Sequence, residues 1–398
     1  MVIPDAGIDW DACIGLLLQA MQSLQQGLLH VLAALDATRD IDGQPAWPFA
    51  LRLSGEVMLI DRSVARALLA ALAYSAAALL LAALACAWKR ARIPLLLAGG
   101  ALLLFTPWPD AALFTAPAAP TSFHVSPTGF SASAIVRGER LYTQQCIACH
   151  GADGRGNTPL GLSLPVAPPN LSSGLLWRRS DGDIFWSLQH GKGGMPAFAT
   201  RISVADSWAL IDYMKANAAG VGIAATGAWP RPVALPDIAL ACRTPGAPGT
   251  PDTTRLSQWH GQRVRLVVAE SGKAPPTEDP RLQSVLLDGA AASADSVGAI
   301  ACANNQRDTL RAIAIITGTP EDKLPGTQLL ADRDGWLRAR NAGGEWSPDD
   351  MLCRSTTAVE GAGSGAGNAA GGMDQLIAAM DADPVRFAKG GFFTHRQR

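Results

Sequence analysis

Charge is scarce in this chain. Only 17% of its 398 residues are Asp, Glu, Lys or Arg, against roughly 25% in ordinary soluble domains. The 33 basic and 34 acidic side chains nearly cancel, so there is no basic field of the kind that gathers nucleic acid, which is excluded as a partner. No basic segment opens the chain, and Asp5, Asp9 and Asp11 stand where a cleaved signal peptide would be apolar. No internal repeat is visible.

What is abundant is alanine and leucine. Residues 67–88 form 22 uncharged positions, long enough to span a bilayer. Lys89, Arg90 and Arg92 follow, and residues 93–109 are a second uncharged run ending at Trp108 and Pro109. A re-entrant or surface helix is the alternative for this shorter run. The basic cluster between the runs is a positive-inside signal, which puts residues 89–92 in the cytoplasm and both flanks in the periplasm. Residues 12–35 also lack charge but carry Gln19, Gln22, Gln25, Gln26 and His30. They read as an amphipathic helix, or as a membrane helix packed on a partner. Residues 47–54 read as a loop entering the bilayer.

Downstream lies Cys146-Ile147-Ala148-Cys149-His150. C-x-x-C-H is the signature of covalent c-type haem attachment. Two thiols three positions apart can each bond one porphyrin vinyl group, and the histidine reaches the iron. A dithiol redox pair would need a helix after the motif, and the Gly-rich stretch 151–156 is a loop. Zinc would need four ligands, and only His190 is near. Met195, in Gly191-Lys192-Gly193-Gly194-Met195-Pro196, is the candidate sixth ligand. Thioether ligation opposite histidine raises the reduction potential. His190 is the alternative, as a bis-histidine site. Helices are expected over 134–145 and 206–218, crossing closely at Gly138. The Pro159 carbonyl is placed to accept the His150 Nδ1 proton and set the ring. Trp177, Arg178 and Arg179 are candidates to meet the haem propionates, a solvated face being the alternative for the arginines.

The stretch from about residue 135 to 219 resembles class I c-type cytochromes. The match rests on Gly138, Tyr142, Cys146, Cys149, His150, Gly151, Gly154, Gly156, Pro159, Met195, Pro196, Trp208 and Tyr213. The resemblance implies an all-α fold around one covalent haem c, with His150 and Met195 as axial ligands. The Trp47-Pro48-Phe49 loop and the linker 119–130 resemble the junction of copper-resistance D type membrane proteins fused to a cytochrome c. Those relatives have a larger membrane domain than the two or three spans expected here. Met21, His30, Met58 and His124 are then candidate copper ligands, with packing or linker roles as the alternative.

After residue 220 the texture changes. Residues 225–236 read as a Pro-rich linker. Apolar runs at 264–269, 284–287, 310–316 and 328–330 read as strands, with 310–316 central, and 332–337 as a hairpin turn. Residues 235–354 resemble a thioredoxin-like domain, through Leu256-Ser257-Gln258-Trp259-His260-Gly261 and Gly335-Trp336-Leu337. Ser271 to Pro276 occupy the active-site position and hold no cysteine, which excludes thiol–disulfide catalysis. Of Cys242, Cys302 and Cys353, two are expected to form a disulfide, the pair left open. Residues 361–372 are a Gly/Ala/Ser linker. Residues 373–382 read as a helix before a Phe-rich tail, read as docking back or binding a partner.

The expected organisation is multidomain. It comprises an N-terminal amphipathic or membrane helix and loop (1–62), two transmembrane helices (63–110), a periplasmic linker (111–133) and an all-α class I cytochrome c domain (134–220). An α/β thioredoxin-like C-terminal domain (235–356) and a linker with tail (357–398) follow. The leading functional reading is an inner-membrane electron carrier with its haem and C-terminal domains in the periplasm. It would work beside a respiratory dehydrogenase or terminal oxidase, in contact with membrane lipid. The alternative is an accessory factor in copper handling or oxidase assembly with the haem as redox partner. Peroxidase chemistry would need an open sixth iron position, which Met195 opposes.

Overall fold

The computed structural model describes residues 10–59, 61–106, 108–177, 179–229, 231–243, 252–288, 300–353 and 372–385. The chain divides into two compact units, residues 1–123 and 124–398.

Among the described residues, the first unit holds three α-helices and two small ribbons. Helix α1 (Trp10–Ala34) is followed by the hairpin β1 (Asp40–Ile41) and β2 (Gln44–Pro45). Strand β3 (Leu51–Leu53) leads to α2 (Arg62–Ala87), α3 (Arg92–Leu104) and β4 (Thr115–Pro117). Gln25 of α1 does not join a polar face. It is buried, and its amide serves both polar groups of Leu53, accepting from the N–H at 2.6 Å and donating to the carbonyl at 3.2 Å. The exposed positions of α1 include the apolar Leu16, Leu24, Leu28 and Val31.

Among the described residues, one helix is long and apolar enough to cross a membrane, Ser63–Ala87. The second run forms a helix only from Arg92 to Leu104, 13 residues or about 20 Å. Pro107 and Pro109 cannot continue it, since the residue before a proline is driven out of the helical region. Gly99 of α3 lies against the Ala78 backbone of α2. These positions are nearly equidistant from the 88–91 turn, so α2 and α3 form an antiparallel hairpin. Beyond its far ends, β3 pairs antiparallel with β4, Arg52 opposite Ala116. Trp47 is buried there, 4.6 Å from the Phe123 ring, with its indole N–H on the Leu51 carbonyl. The Trp-Pro-Phe segment is therefore part of a folded cap, held by its pairing with residues 115–123.

The second unit begins with α4 (Ala132–Gln145), α5 (Ile147–His150), α6 (Pro159–Ser163), α7 (Asp181–His190) and α8 (Val204–Thr226). Ser131, Ser180 and Ser203 cap α4, α7 and α8 by accepting backbone N–H bonds. Helices α4 and α8 cross at Gly138, where any Cβ would fall 2.1 Å from the Ala209 carbonyl oxygen. Helix α8 runs eight residues beyond the 218 end expected from sequence. Its first half packs Trp208, Leu210, Ile211 and Met214 into one core. Its second half packs Ala216, Ala219 and Ile223 into another.

That second core lies on a mixed eight-stranded sheet of β5 (Val233–Ala234), β6 (Ala239–Cys242), β7 (Asp252–Arg255), β8 (Val264–Val268), β9 (Gln283–Leu287), β10 (Cys302–Asn304), β11 (Gln328–Ala331) and β12 (Trp336–Asn341). The order is β5-β12-β11-β8-β9-β10-β6-β7, with β8, β9 and β10 parallel and the remaining pairs antiparallel. The run 310–316 is not a strand. It is the centre of α9 (Arg307–Thr317), which buries Thr309, Ala312, Ile313, Ile316 and Thr317. Those positions repeat every three to four residues, the helical period. With α8, it covers the face formed by Val264, Leu266, Val268, Val285 and Leu287. No helix lies between β8 and β9, where the thioredoxin pattern would place one. Cys242 and Cys302, opposite each other on β6 and β10, form the disulfide, and Cys353 is a buried free thiol. Helix α10 (Gly372–Ala382) packs Leu376, Ile377 and Met380 against Leu282, Leu330, Ala339 and Met351 on the opposite face. The C-terminal helix thus returns to the domain, while the Phe-rich tail beyond 385 lies outside the described residues.

Candidate haem site

The attachment motif occupies the single turn α5, directly after α4. Cys146 caps the junction, and its N–H bonds the Tyr142 carbonyl at 2.9 Å. This leaves Cys146 and Cys149 as free thiols one turn apart, with His150 next to Cys149. The buried Tyr142 hydroxyl donates to the Gly151 carbonyl at 2.9 Å, and the Gly156 N–H donates to the His150 carbonyl at 2.8 Å. Both bonds pin the loop that leaves the motif.

The His150 imidazole is half-buried, and burial pulls it below the usual histidine range, toward the neutral ring an iron needs. Burial pushes the Cys146 thiol up to about 12. His150 Nδ1 is buried and has no hydrogen-bond partner. The expected bond to the Pro159 carbonyl is therefore not formed. Pro159 is the first residue of α6, so its carbonyl points along that helix. Thr158 does the local work instead. Its hydroxyl donates to the Ala148 and Cys149 carbonyls at 2.7 and 3.1 Å and accepts from Gly161 N–H at 2.9 Å. The Thr-Pro dipeptide, a helix cap followed by proline at the first turn, was the sequence signal for this role.

Met195 sits in a tight turn in which Lys192 and Met195 exchange backbone bonds of 3.1 and 3.0 Å. Its side chain packs on the same apolar core as Cys146, formed by Tyr142, Trp177, Phe185, Trp208, Tyr213 and their neighbours. Phe185 stacks on Trp208 at 4.6 Å, and Tyr142 meets Tyr213 at 5.1 Å. His190, the rival ligand, is exposed and stacks on Trp186 with centroids 3.6 Å apart. Trp177 turns away from the propionate role, its indole N–H bonding the Pro232 carbonyl at 3.2 Å. Arg179 lies near enough to Lys192 to help lower that amine, after partial desolvation. Arg178 lies outside the described residues.

Between the motif and the methionine turn, Leu160, Leu162 and Val166 are apolar side chains exposed to solvent. Val166 lies against Gly193 and Gly194 of the methionine turn. Sequence reasoning passed over these three. Two free thiols one turn apart, an adjacent imidazole held toward its neutral form and an apolar rim joining both ligand segments fit a flat apolar macrocycle bound through iron. Among the described residues, no group of three or more His, Cys, Asp or Glu side chains is arranged for a metal ion.

A buried acid lies behind the site. Asp212 of α8 accepts from the Thr128 hydroxyl, beside the Asp181–Lys215 ion pair. Burial pushes its carboxyl up to about 7, with Asp181 adding to the rise and Thr128 and Lys215 opposing it.

The class defined is that of a c-type cytochrome, an electron-transfer domain. Residues 133–214 match the family described as cytochrome C oxidase, cbb3-type, subunit III. The chain is similar to the cbb3-type cytochrome c oxidase subunit CcoP of Azospirillum brasilense, 29% identical over 84 residues, and to subunit FixP of Bradyrhizobium diazoefficiens, 28% identical over 86. Each match covers 21% of this chain and 28% of the relative, so the chain spans little more than a quarter of either. A solved chain of the Kuenenia stuttgartiensis reducing HAO-like protein complex aligns with 21% identity and a TM-score of 0.21, over 29% of this chain and 58% of that one.

Proposed function

We propose that this chain is a membrane-anchored, periplasm-facing cytochrome carrying one covalent haem c, which passes electrons within a respiratory chain to or from a partner such as a terminal oxidase. The observation that carries the reading is the pairing of the Cys146/Cys149/His150 turn with Met195 on one apolar core. Bound haem c supplies a one-electron couple. Cys146 and Cys149 would hold the porphyrin, His150 and Met195 would bind its iron, and Arg179 would meet its acidic side groups. The core of Tyr142, Phe185 and Trp208 would shield the ligands from water, and thioether ligation would raise the potential toward that of a carrier feeding an oxidant. No substrate bond is made or broken, so the chain acts as a carrier.

The anchoring half of the proposal is supported by the β3–β4 pair, which brings both outer ends of the α2–α3 hairpin together. Lys89, Arg90 and Arg92 stand at its opposite turn. With basic residues cytoplasmic, both flanks and the haem domain fall in the periplasm. We read the sheet domain as thioredoxin-like from its parallel β8–β9 pair and the β11–β12 hairpin, without the dithiol chemistry.

The test is the visible spectrum of the full chain from a host that matures cytochromes c. The oxidised protein should show the weak far-red band of sulfur ligation, and Met195→Ala should abolish it. Absence of the band, with ready carbon monoxide binding, would sink the carrier reading.

A further inference from the structure

We infer that the sheet face beneath α10 is a docking groove for an acidic amphipathic helix of a partner protein, and that α10 is its resident occupant, which the partner displaces.

The groove is floored by Leu282, Leu330, Ala339 and Met351, and Arg263, Arg281 and Arg338 reach the acidic residues of the α10 segment. Arg338 is 1% exposed and Arg263 8%, both unusual for guanidinium groups. Helix α10 and the residue just after it bring Asp374, Asp381 and Asp383 to this rim, and Asp381 meets its arginine imperfectly. Both Asp381 oxygens converge on Arg263 Nη2, at 2.7 Å for the longer bond, rather than forming the side-on fork. The Arg263 Nε consequently stays buried with no partner. Asp383 reaches Arg338 through its backbone carbonyl, its carboxylate remaining 4.0 Å away. Asp374 pairs with Arg281 but is 65% exposed, and Asp381 is 56% exposed. Charge-assisted bonds to arginine are strongest as two parallel N–H···O contacts, and solvent-exposed pairs contribute little.

Part of the polar wall of the groove is held from the body of the domain. Arg338 keeps Asp332 at 3.0 Å and the Cys353 carbonyl at 3.2 Å, both from the body of the domain. An isolated helix of 11 residues is marginal in water, so α10 is helical because it is docked. It is carried back to the sheet across residues 354–371, rich in Gly, Ala and Ser. A helix carried on the same chain competes at an effective concentration in the millimolar range. A partner helix with one carboxylate placed for the side-on fork on Arg263 Nε and Nη2, and the same apolar stripe, would satisfy the Nε that α10 leaves unmet.

The experiment uses the full chain in detergent and a fluorescein-labelled peptide of residues 372–385 as the acidic helix. Ile377→Asp with Met380→Asp should undock α10. This variant should bind the peptide about 100-fold more tightly than wild type, the factor by which a millimolar cis competitor suppresses a ligand of roughly 10 µM affinity. Adding Arg263→Gln should weaken that binding about tenfold. Equal binding by wild type and the undocked variant overturns the inference. So does a doubled mass by light scattering without peptide binding, which would make the face an interface between copies of this chain. Should the double variant fail to fold, hydrogen exchange on wild type decides. Amides of α10 should exchange through an opening that leaves β8 and β11 protected. Exchange of α10 only together with β8 would make the helix a fixed part of the core and end the proposal.

Discussion

Asp212→Asn is the most informative perturbation of the haem domain. In the unfolded chain the Asp212 carboxyl loses its proton near 3.8; in the folded protein burial holds the proton until about 7. Between these values the native state carries one proton more than the unfolded state at this site, so stability falls as pH rises. Below 3.8 both states are protonated, and above 7 both are ionised, so the slope is confined to that window. About three units of displacement at 1.36 kcal/mol each give a penalty of about 4 kcal/mol at pH 8 relative to pH 4. Asparagine cannot ionise, and its amide oxygen can still accept from the Thr128 hydroxyl. Wild type and variant should therefore differ little at pH 4, and the variant should be the more stable by up to about 4 kcal/mol at pH 8. Denaturant unfolding of the full chain, followed by tryptophan fluorescence at pH 4, 6 and 8, measures this. Comparing the two proteins cancels other titrating groups. A difference that does not change with pH would refute the argument, because Asp212 would then titrate as an exposed carboxyl does.

Other substitutions test other joints of the structure. Gly138→Ala places a Cβ 2.1 Å from the Ala209 carbonyl oxygen. The helices must part, at about 3 kcal/mol, read as a lower unfolding midpoint. Arg311 bonds Glu139 across the α4–α9 contact at 2.8 Å but is 41% exposed. Arg311→Met should cost no more than about 1 kcal/mol, and a larger loss in the same unfolding assay would show the contact to be drier than it looks. Replacing Cys242 and Cys302 together by serine opens a loop with a sequence separation of 60. The expected loss is about 4 kcal/mol by loop-closure entropy, seen as a thermal transition that reductant no longer shifts. Met195→Ala should lower the reduction potential as well as remove the far-red band, since the thioether is what raises it; an unchanged potential in spectroelectrochemical titration would point to another sixth ligand.

The local elements of the candidate haem site were legible in the sequence because each is specified by neighbouring residues. C-x-x-C-H specifies one helical turn, the Gly-flanked methionine specifies a tight turn, and the serine caps and apolar period specify α4 and α8. Each signal lies within a few residues of what it determines. The same holds for the uncharged run that became α2 and for the β11–β12 turn at Asp332.

What the sequence left open was settled by contacts between distant residues. Apolar residues at 310, 312, 313, 315 and 316 suit a strand or a helix, and packing against α8 selected the helix. Gln25 belonged to a polar face until Leu53, 28 residues away, needed both its donor and its acceptor. The disulfide pair followed from β6 lying beside β10, and the reach of α8 into a second core from the sheet beneath it. The Pro159 bond failed because α6 turned that carbonyl along its own axis. Periodicity and caps speak through neighbours along the chain. Partner choice between buried polar groups, cysteines and helix faces is a matter of which distant segments arrive together, and only the tertiary structure brings them there.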